Sequence, residues 1–254
     1  MQVTPVQTPL ITPDDSLESI ITEALPNLAE RSILVVTSKI IAVTQGETMK
    51  LSAEQKDRAH KIELARQFSE WYLEPLPDAE YVSLITVTQG VLGVMAGIDG
   101  SNTEENTLVP LPSRPYVAAE KIWQFLREHF SLNEVGVVIT DTSSRPLRWG
   151  VVGTYLSYAG MRGIRDMRGT LDLFGHPLKI TEINMIEPVA AASVLCMGEA
   201  HESQPLCVVS GVPEMEFLSI PLASDDRAHF PIQRDEDLYA ALLTPAPWKI
   251  GGSK

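Results

Sequence analysis

Residues Val135 to Gly150 read V-G-V-V-I-T-D-T-S-S-R-P-L-R-W-G, and the rest of the chain can be arranged around them. Val135, Val137, Val138 and Ile139 form a short apolar, β-branched run, the signature of a strand covered on both faces. The run stops at Asp141. A carboxylate where a buried strand emerges stands on a rigid support and points into the crevice beyond the sheet, where α/β architectures hold ligands and metals. Thr142 adds a hydroxyl, and Arg145 and Arg148 flank Pro146. Acid, hydroxyl and guanidinium together suit Mg²⁺ or Mn²⁺ with phosphate, because the hard cation takes oxygen and the phosphate takes bidentate donors. An ordinary turn uses the same residues, since Asp, Thr, Ser and Pro all favour one.

Upstream, Ile33 to Val36 predicts a second buried strand leading into T-S-K-I-I-A-V-T-Q-G. Ser38 and Lys39 then fall near a strand end, where a lysine can face phosphate or simply be solvated. Between the two strands, Gly90, Gly93 and Gly97 lead to Asp99, Gly100, Ser101 and Asn102. Turn chemistry explains these residues. So does a glycine-rich approach that lets backbone come close to a metal or phosphate. Nothing matches G-x-x-x-x-G-K-[ST] or G-x-G-x-x-G, so any nucleotide is held by a non-standard cradle.

The remaining elements follow from caps and periodicity. A proline-punctuated, extended start leads to Asp14, Asp15 or Ser16 as caps for a short helix carrying Leu17, Ile20, Ile21 and Leu25. Ser52 and Gln55 make a capping-box signature before a helix with Ile62, Ala65, Phe68 or Gln67, and Tyr72 at helical spacing, ending at Pro75. Tyr81 to Thr88 alternates as a half-buried strand. Tyr116 to His129 predicts a helix whose Ile122, Trp123, Phe125 and Leu126 are core. Pro188 suits the first turn of another helix through A-A-A-S-V-L-C-M, followed by a strand in P-L-C-V-V-S-G. Asp235 to Leu243 reads as a modest helix, and the P-W-K-I-G-G tail is expected to be loosely held.

Composition sets outer bounds. With 20 Lys and Arg against 33 Asp and Glu the formal charge is −13, a field that repels nucleic acid and anionic membranes. Cys196 and Cys207 show no metal-ligand spacing and no disulfide framework, and the opening residues lack a signal-peptide pattern, so a cytoplasmic protein is expected. Within this acidic chain, Arg145, Arg148, Arg162, Arg165 and Arg168 face only one acid, Asp166, which points to carboxylate or phosphate recognition or to a solvated face. Glu199, His201 and Glu202 follow the third helix as ligand candidates or as a polar helix exit. There is no G-x-S-x-G, H-E-x-x-H or C-x-x-C. What remains suits phosphoryl transfer, where positioning and charge stabilisation do most of the catalysis.

The run A-G-I-D-G-S-N (Ala96 to Asn102), followed about forty residues on by V-I-T-D-T-S-S-R-P-L-R (Val138 to Arg148), resembles the coenzyme F-420:γ-glutamyl ligase family. The likeness continues through Arg168 to Leu178 and the helix ending M-G-E, and covers most of the chain from near Pro9 to about Gly211. Members add L-glutamate to a deazaflavin precursor using GTP and divalent metal. The resemblance implies that Asp99, Asp141, Thr142 and Glu199 hold Mg²⁺ or Mn²⁺. Pro9, Leu10, Ile11, Ser38, Lys39, Asn102 and the loop opening at Met197 and Gly198 would hold GTP or ATP. It also implies an α+β fold of mixed sheets with packed helices, as two interlocked subdomains in an intertwined homodimer. The chain is then one ligase unit over 1–254, with room for an inserted subdomain at about 90–180 and a C-terminal extension at 225–254.

Departures from the family pattern lie beside these residues. Val43 and Gln45 replace its lysine and glutamate, Met95 replaces its asparagine, and Pro188 follows Glu187 where it has an acid pair. The P-L-R-W-G-V-V-G form resembles a branch thought to act on folate, so a folate-like acceptor is favoured over a deazaflavin. The expected chemistry is an acyl phosphate, formed at Asp99, Asp141, Arg145 and Arg148 and displaced by the amine of glutamate. Arg162, Arg165 and Arg168 would bind anionic parts of the acceptor or of glutamate. A metal-dependent hydrolase of phosphorylated small molecules and an inactive nucleotide-binding homologue remain the alternatives.

Overall fold

The computed structural model describes residues 1–52, 55, 58–76, 83–221 and 231–252. In chain order the elements are β1 (Gln2–Val6), α1 (Leu17–Ala24), β2 (Ser32–Thr37), α2 (Ser38–Thr44), β3 (Met49–Lys50), α3 (Arg58–Phe68) and β4 (Trp71–Leu73). Then come β5 (Ile85–Thr88), β6 (Val91–Val94), β7 (Thr107–Leu108), α4 (Pro115–Phe130), β8 (Val135–Ser144) and β9 (Val151–Ala159). The chain ends with β10 (Ile164–Asp166), β11 (Glu182–Asn184), α5 (Ile186–Met197), β12 (Leu206–Ser210), α6 (Ala240–Leu243) and β13 (Lys249–Ile250). The fold is mixed α+β.

A five-stranded sheet in the order β1-β12-β2-β8-β9 forms the centre, with β2 and β8 parallel and the other pairs antiparallel. Its middle strands carry apolar runs, Ile33–Val36 in β2 and Val137–Ile139 in β8, because both faces are covered there. Leu34, Val36, Val137 and Ile139 pack under α1, α2 and α4 on one side; Ile33, Val35 and Val138 pack against α5 on the other. Trp123 of α4 is fully buried and donates its indole N–H to the Val135 carbonyl at 3.0 Å. Gly160 lets that ring approach: it has φ +78°, and a Cβ there would lie 2.3 Å from the indole nitrogen. A second sheet, β13-β4-β5-β6, is antiparallel and shares an apolar cluster with α3 built on Ala65, Leu84, Ala96, Ile98 and Leu108.

The strand through Asp141 does not stop there. It runs on to Ser144 and pairs through Val151 to Thr154, so that Asp141 faces Thr154 within a hairpin. The apolar run marks the end of burial, whereas backbone pairing continues past the helical layers; an extra residue in β9 shifts the register at Ile139/Thr140. Likewise α3 ends at Phe68, and Tyr72 belongs to β4 rather than to the helix. Half of the predicted capping box is present: the Ser52 N–H donates to Gln55 Oε1 at 3.0 Å. Tyr81 and Val82 of the predicted strand lie outside the described residues; the strand seen is Ile85–Thr88.

The helices predicted around Trp123 and Pro188 form, as Pro115–Phe130 and Ile186–Met197. The C-terminal helix shortens to Ala240–Leu243. The tail is not loose. Lys249 and Ile250 pair with Tyr72 and Trp71, and the amides of Gly251 and Gly252 donate to the carbonyls of Glu70 and Arg66. Arg234 stacks between Trp71 (4.2 Å) and Trp248 (5.3 Å), a cation–π clamp that composition alone does not announce. No helix among the described residues is long and apolar enough to cross a membrane.

Candidate active site

Because β2 and β8 are parallel neighbours, their carboxyl ends lie side by side, with Thr37 opposite Thr140. Ser38 and Lys39 open α2 at the end of one strand, and Asp141 stands one residue on along the other. A glycine-rich turn at Met95–Gly97 delivers Asp99, which is fixed by a bridge to Val109 with N···O distances of 2.9 and 2.8 Å. Lys39 Nζ donates to Asp99 Oδ2 at 2.6 Å and to the Ser101 carbonyl at 2.8 Å. The remaining Asp99 lone pairs accept from the amides of Gly100 (2.6 Å) and Ser101 (2.8 Å) and from the Ser101 hydroxyl (2.7 Å).

The other predicted nucleotide residues are drawn to the same end. Asn102, in a left-handed conformation (φ 49°), donates its amide to the Ala200 carbonyl. The Thr8 amide donates to Ser203, and Thr37 to Pro205, so Pro9 to Ile11 and the loop after α5 both border the carboxyl end of β2. Leu10 is exposed and Ile11 packs against the core. Met197 differs: its side chain is buried in the α5 core, and only the loop it opens is available. Gly198 is required there, since at φ +84° a Cβ would sit 2.3 Å from the Glu202 carboxylate carbon.

Electrostatics show that the acids sense one another. Burial raises the Asp99 carboxyl, but Lys39 and the Ser101 donors overcome it and hold the group down at about 2. Asp141 is pushed up to about 6, first by burial and then by the like charges of Asp99 and Glu199, against the Thr142 amide and Lys39. Glu199 is raised by burial and by Asp99 and Glu202, with Lys39 opposing. Three acids far apart in sequence thus share one field with one lysine between them.

The donor set is hard oxygen throughout: Asp99, Asp141, Glu199 and the Thr142 hydroxyl. Among the described residues no three His, Cys, Asp or Glu close into a metal cage. Such oxygen donors are of the kind that Mg²⁺ or Mn²⁺ would take. Mutual repulsion among the acids, visible in the raised Asp141 and Glu199, is what a divalent cation relieves.

The arginines are distributed differently from the sequence expectation. Arg145 donates to Thr154 at 3.0 Å and pairs with Glu187, whose carboxylate also accepts from the Thr154 hydroxyl (2.7 Å) and the Tyr155 amide (3.1 Å). Arg148 is exposed in the β8–β9 loop and donates to the Leu147 carbonyl. Arg162 pairs with Glu216 near Arg31 and Glu134, at the amino end of β2, a strand length from Asp141. Arg165 lies 3.7 Å from Glu214, and Arg168 pairs with Asp166 and Glu182 in the β10–β11 hairpin. These three are not gathered around Asp141 within the chain, and acids distant in sequence offset the local excess of positive charge. Residue counting over one window could not see those acids.

Beside Asp141 a narrow crevice separates the two sheets. Thr86, Thr88, Gly93 and Val94 line one wall; Asp141, Thr142, Ser143, Thr154 and Tyr155 line the other. The alternation T-V-T at Thr86 to Thr88 was the available signal for these hydroxyls, but nothing in one strand tells which residue it will face. Met95, at one of the family departures, packs against the α3 cluster.

Comparison with known proteins identifies the family. Residues 5–211 match the family model described as F420-0:Gamma-glutamyl ligase. A coenzyme F420:L-glutamate ligase of Methanothermobacter thermautotrophicus is 32% identical over 218 residues, covering 81% of this chain and 86% of the relative. Proteins of the same description from Halobacterium salinarum (33% identical; 82% of this chain and 85% of the relative) and Archaeoglobus fulgidus (33%; 84% and 88%) behave alike. The matched segment contains every acid, lysine and loop gathered at the carboxyl ends of β2 and β8, and the chain belongs to the F420-0:gamma-glutamyl ligase family.

Proposed function

We propose that the protein is a γ-glutamyl ligase that joins L-glutamate to the carboxylate of a small acceptor, folate-like or a deazaflavin precursor, at the expense of GTP or ATP. The observation that carries this reading is the convergence of Asp99, Lys39, Asp141 and Glu199 beside the loops of Asn102 and Gly198. An acidic centre with one lysine and surrounding backbone N–H groups would hold a divalent cation beside nucleotide phosphates. Such a cation would supply charge neutralisation for phosphoryl transfer.

The chain's own residues do the rest. Lys39, on the first turn of α2, swings from Asp99 to the phosphates; its unbranched stem allows this without moving the helix. Asp99, Asp141, Thr142 and Glu199 would supply the oxygens that hold the cation. Asn102 and the loop at 198–203 hold each other and so set the width of the nucleotide cradle. The acceptor carboxylate attacks the γ-phosphate to give an acyl phosphate, and the glutamate amine then displaces phosphate. Arg145, with Glu187 fixing its guanidinium, stands by the reacting end; Arg148 is free of acids nearby in sequence and solvent-facing.

A homodimer is part of the reading. The β10–β11 hairpin projects Leu173 (100% exposed) and Phe174 (86%) with Leu171 and Ile180, an apolar surface that a second copy would cover. Function is tested by a coupled assay offering GTP or ATP, L-glutamate and each acceptor. Nucleotide turnover that requires both acceptor and glutamate supports the ligase. Phosphate release from a phosphorylated small molecule without nucleotide favours a hydrolase instead.

A further inference from the structure

The crevice beside Asp141 has a chemistry of its own. Its lining mixes apolar side chains such as Leu111 and Leu156 with the hydroxyls of Thr86, Thr88, Thr142, Ser143, Thr154 and Tyr155 and one carboxylate, Asp141, and includes no Lys, Arg or His. Thr86 is already engaged, accepting from the Ala96 amide at 3.0 Å. Thr88 is not: it is 7% exposed, and its hydroxyl oxygen is buried without a hydrogen-bond partner. A buried, unsatisfied hydroxyl is costly and rare in a folded protein. It calls for a polar visitor.

We infer that this crevice receives the amine of the incoming L-glutamate, with Thr88 as its specificity-determining hydrogen-bond acceptor. The inference rests on the ligase reading and deepens it. Of the three reacting groups, the nucleotide phosphates and the acceptor carboxylate are anions, and the crevice lining offers them no lysine, arginine or histidine to pair with. The amine is the remaining group and the only hydrogen-bond donor of the three. The nitrogen arrives as an ammonium and gives up one proton to water before it attacks; its remaining N–H bonds are accepted by hydroxyl oxygens such as that of Thr88, which leaves the freed lone pair directed at the acyl phosphate. The C–N bond then forms as the acyl C–O bond breaks. Phosphate departs with that electron pair, and the surplus amine proton passes to the leaving phosphate or to water. The crevice is narrow, so the carboxylates of glutamate stay at its mouth, where Thr154 connects to Arg145 at 3.0 Å.

Thr88→Val keeps shape and removes the acceptor. Steady-state kinetics should show the KM for L-glutamate raised about tenfold or more, the usual consequence of deleting a hydrogen bond to a charged or reacting group, with the KM for nucleotide and for acceptor unmoved. Hydroxylamine, added as a competing small nucleophile, traps the acyl phosphate as a hydroxamate. At subsaturating glutamate the ratio of hydroxamate to glutamyl amide should rise about tenfold in the variant. Thr88→Ser, which restores the oxygen, should restore both values and serves as the folding control; Ser143→Ala is the companion variant if Thr88→Val does not fold. An unchanged glutamate KM, or a rise shared equally by all three substrates, overturns the crevice assignment while leaving hydroxamate formation intact. Absence of hydroxamate and of glutamate-dependent turnover in the unaltered enzyme overturns the ligase reading itself.

Discussion

Replacing Lys39 by Met keeps an unbranched stem and removes the ammonium that sits 2.6 Å from Asp99. The Asp99 carboxyl lies at about 2 instead of its ordinary 3.8, a gap worth about 2.4 kcal/mol if it were all Lys39 and fully shielded. It is neither. The Asp99 side chain is 47% exposed, and Ser101 supplies part of the shift, so the pair's contribution is about 1 kcal/mol after solvent screening. The sign follows from linkage: a carboxyl depressed in the folded state stabilises fully above its unfolded value of 3.8, and the benefit disappears as pH falls towards 2. Urea unfolding should therefore show Lys39→Met about 1 kcal/mol less stable than the unaltered protein, equally at pH 7 and pH 5.

The metal responds in the opposite direction. In the absence of nucleotide, a divalent cation must displace the ammonium from Asp99, so removing it should tighten Mn²⁺ binding about fivefold, the equivalent of 1 kcal/mol. Nucleotide affinity should fall, because the phosphates lose their lysine. Electron paramagnetic resonance of free Mn²⁺ and calorimetry with GTP or ATP read the two effects separately. Mn²⁺ binding that weakens in the variant, or stability unchanged at both pH values, refutes the idea that Lys39 stands in for the cation.

Other expectations are more local. Asp141→Asn should abolish ligation. It should also gain stability relative to the unaltered protein, by about 1–3 kcal/mol, as pH climbs from 4 to 7, since a carboxyl held at about 6 is penalised once ionised; a pH-independent difference in urea midpoint would argue against burial as the cause. Gly153→Ala should cost about 1–3 kcal/mol, because its Cβ would meet Val194 at 2.5 Å and the Ala190 carbonyl at 2.8 Å, and differential scanning calorimetry reads the lowered Tm. Phe174→Glu should convert a sedimenting dimer to monomer without loss of helical circular dichroism; a dimer that survives it places the interface elsewhere.

The chain by itself determined a good deal. Apolar runs at Ile33–Val36 and Val135–Ile139 announce strands buried on both faces, because continuous hydrophobicity has one economical resting place. The helices around Trp123 and Pro188 were legible from spacing and a proline-led first turn, and the acid-bearing motifs at Asp99 and Asp141 from residue type and order. Tertiary structure decided the rest. Only the parallel pairing of β2 with β8 brings Lys39 to the end of the strand that carries Asp141, only the Asp99–Val109 bridge sets Asp99 against that lysine, and only long-range ion pairs with Glu187, Glu214 and Glu216 offset the arginine-rich window. The tail from Trp248 to Gly252 and the unsatisfied hydroxyl of Thr88 belong to the same category. Backbone pairing, charge neutralisation and burial depend on which residues meet across hundreds of bonds, and one-dimensional order does not contain that distance.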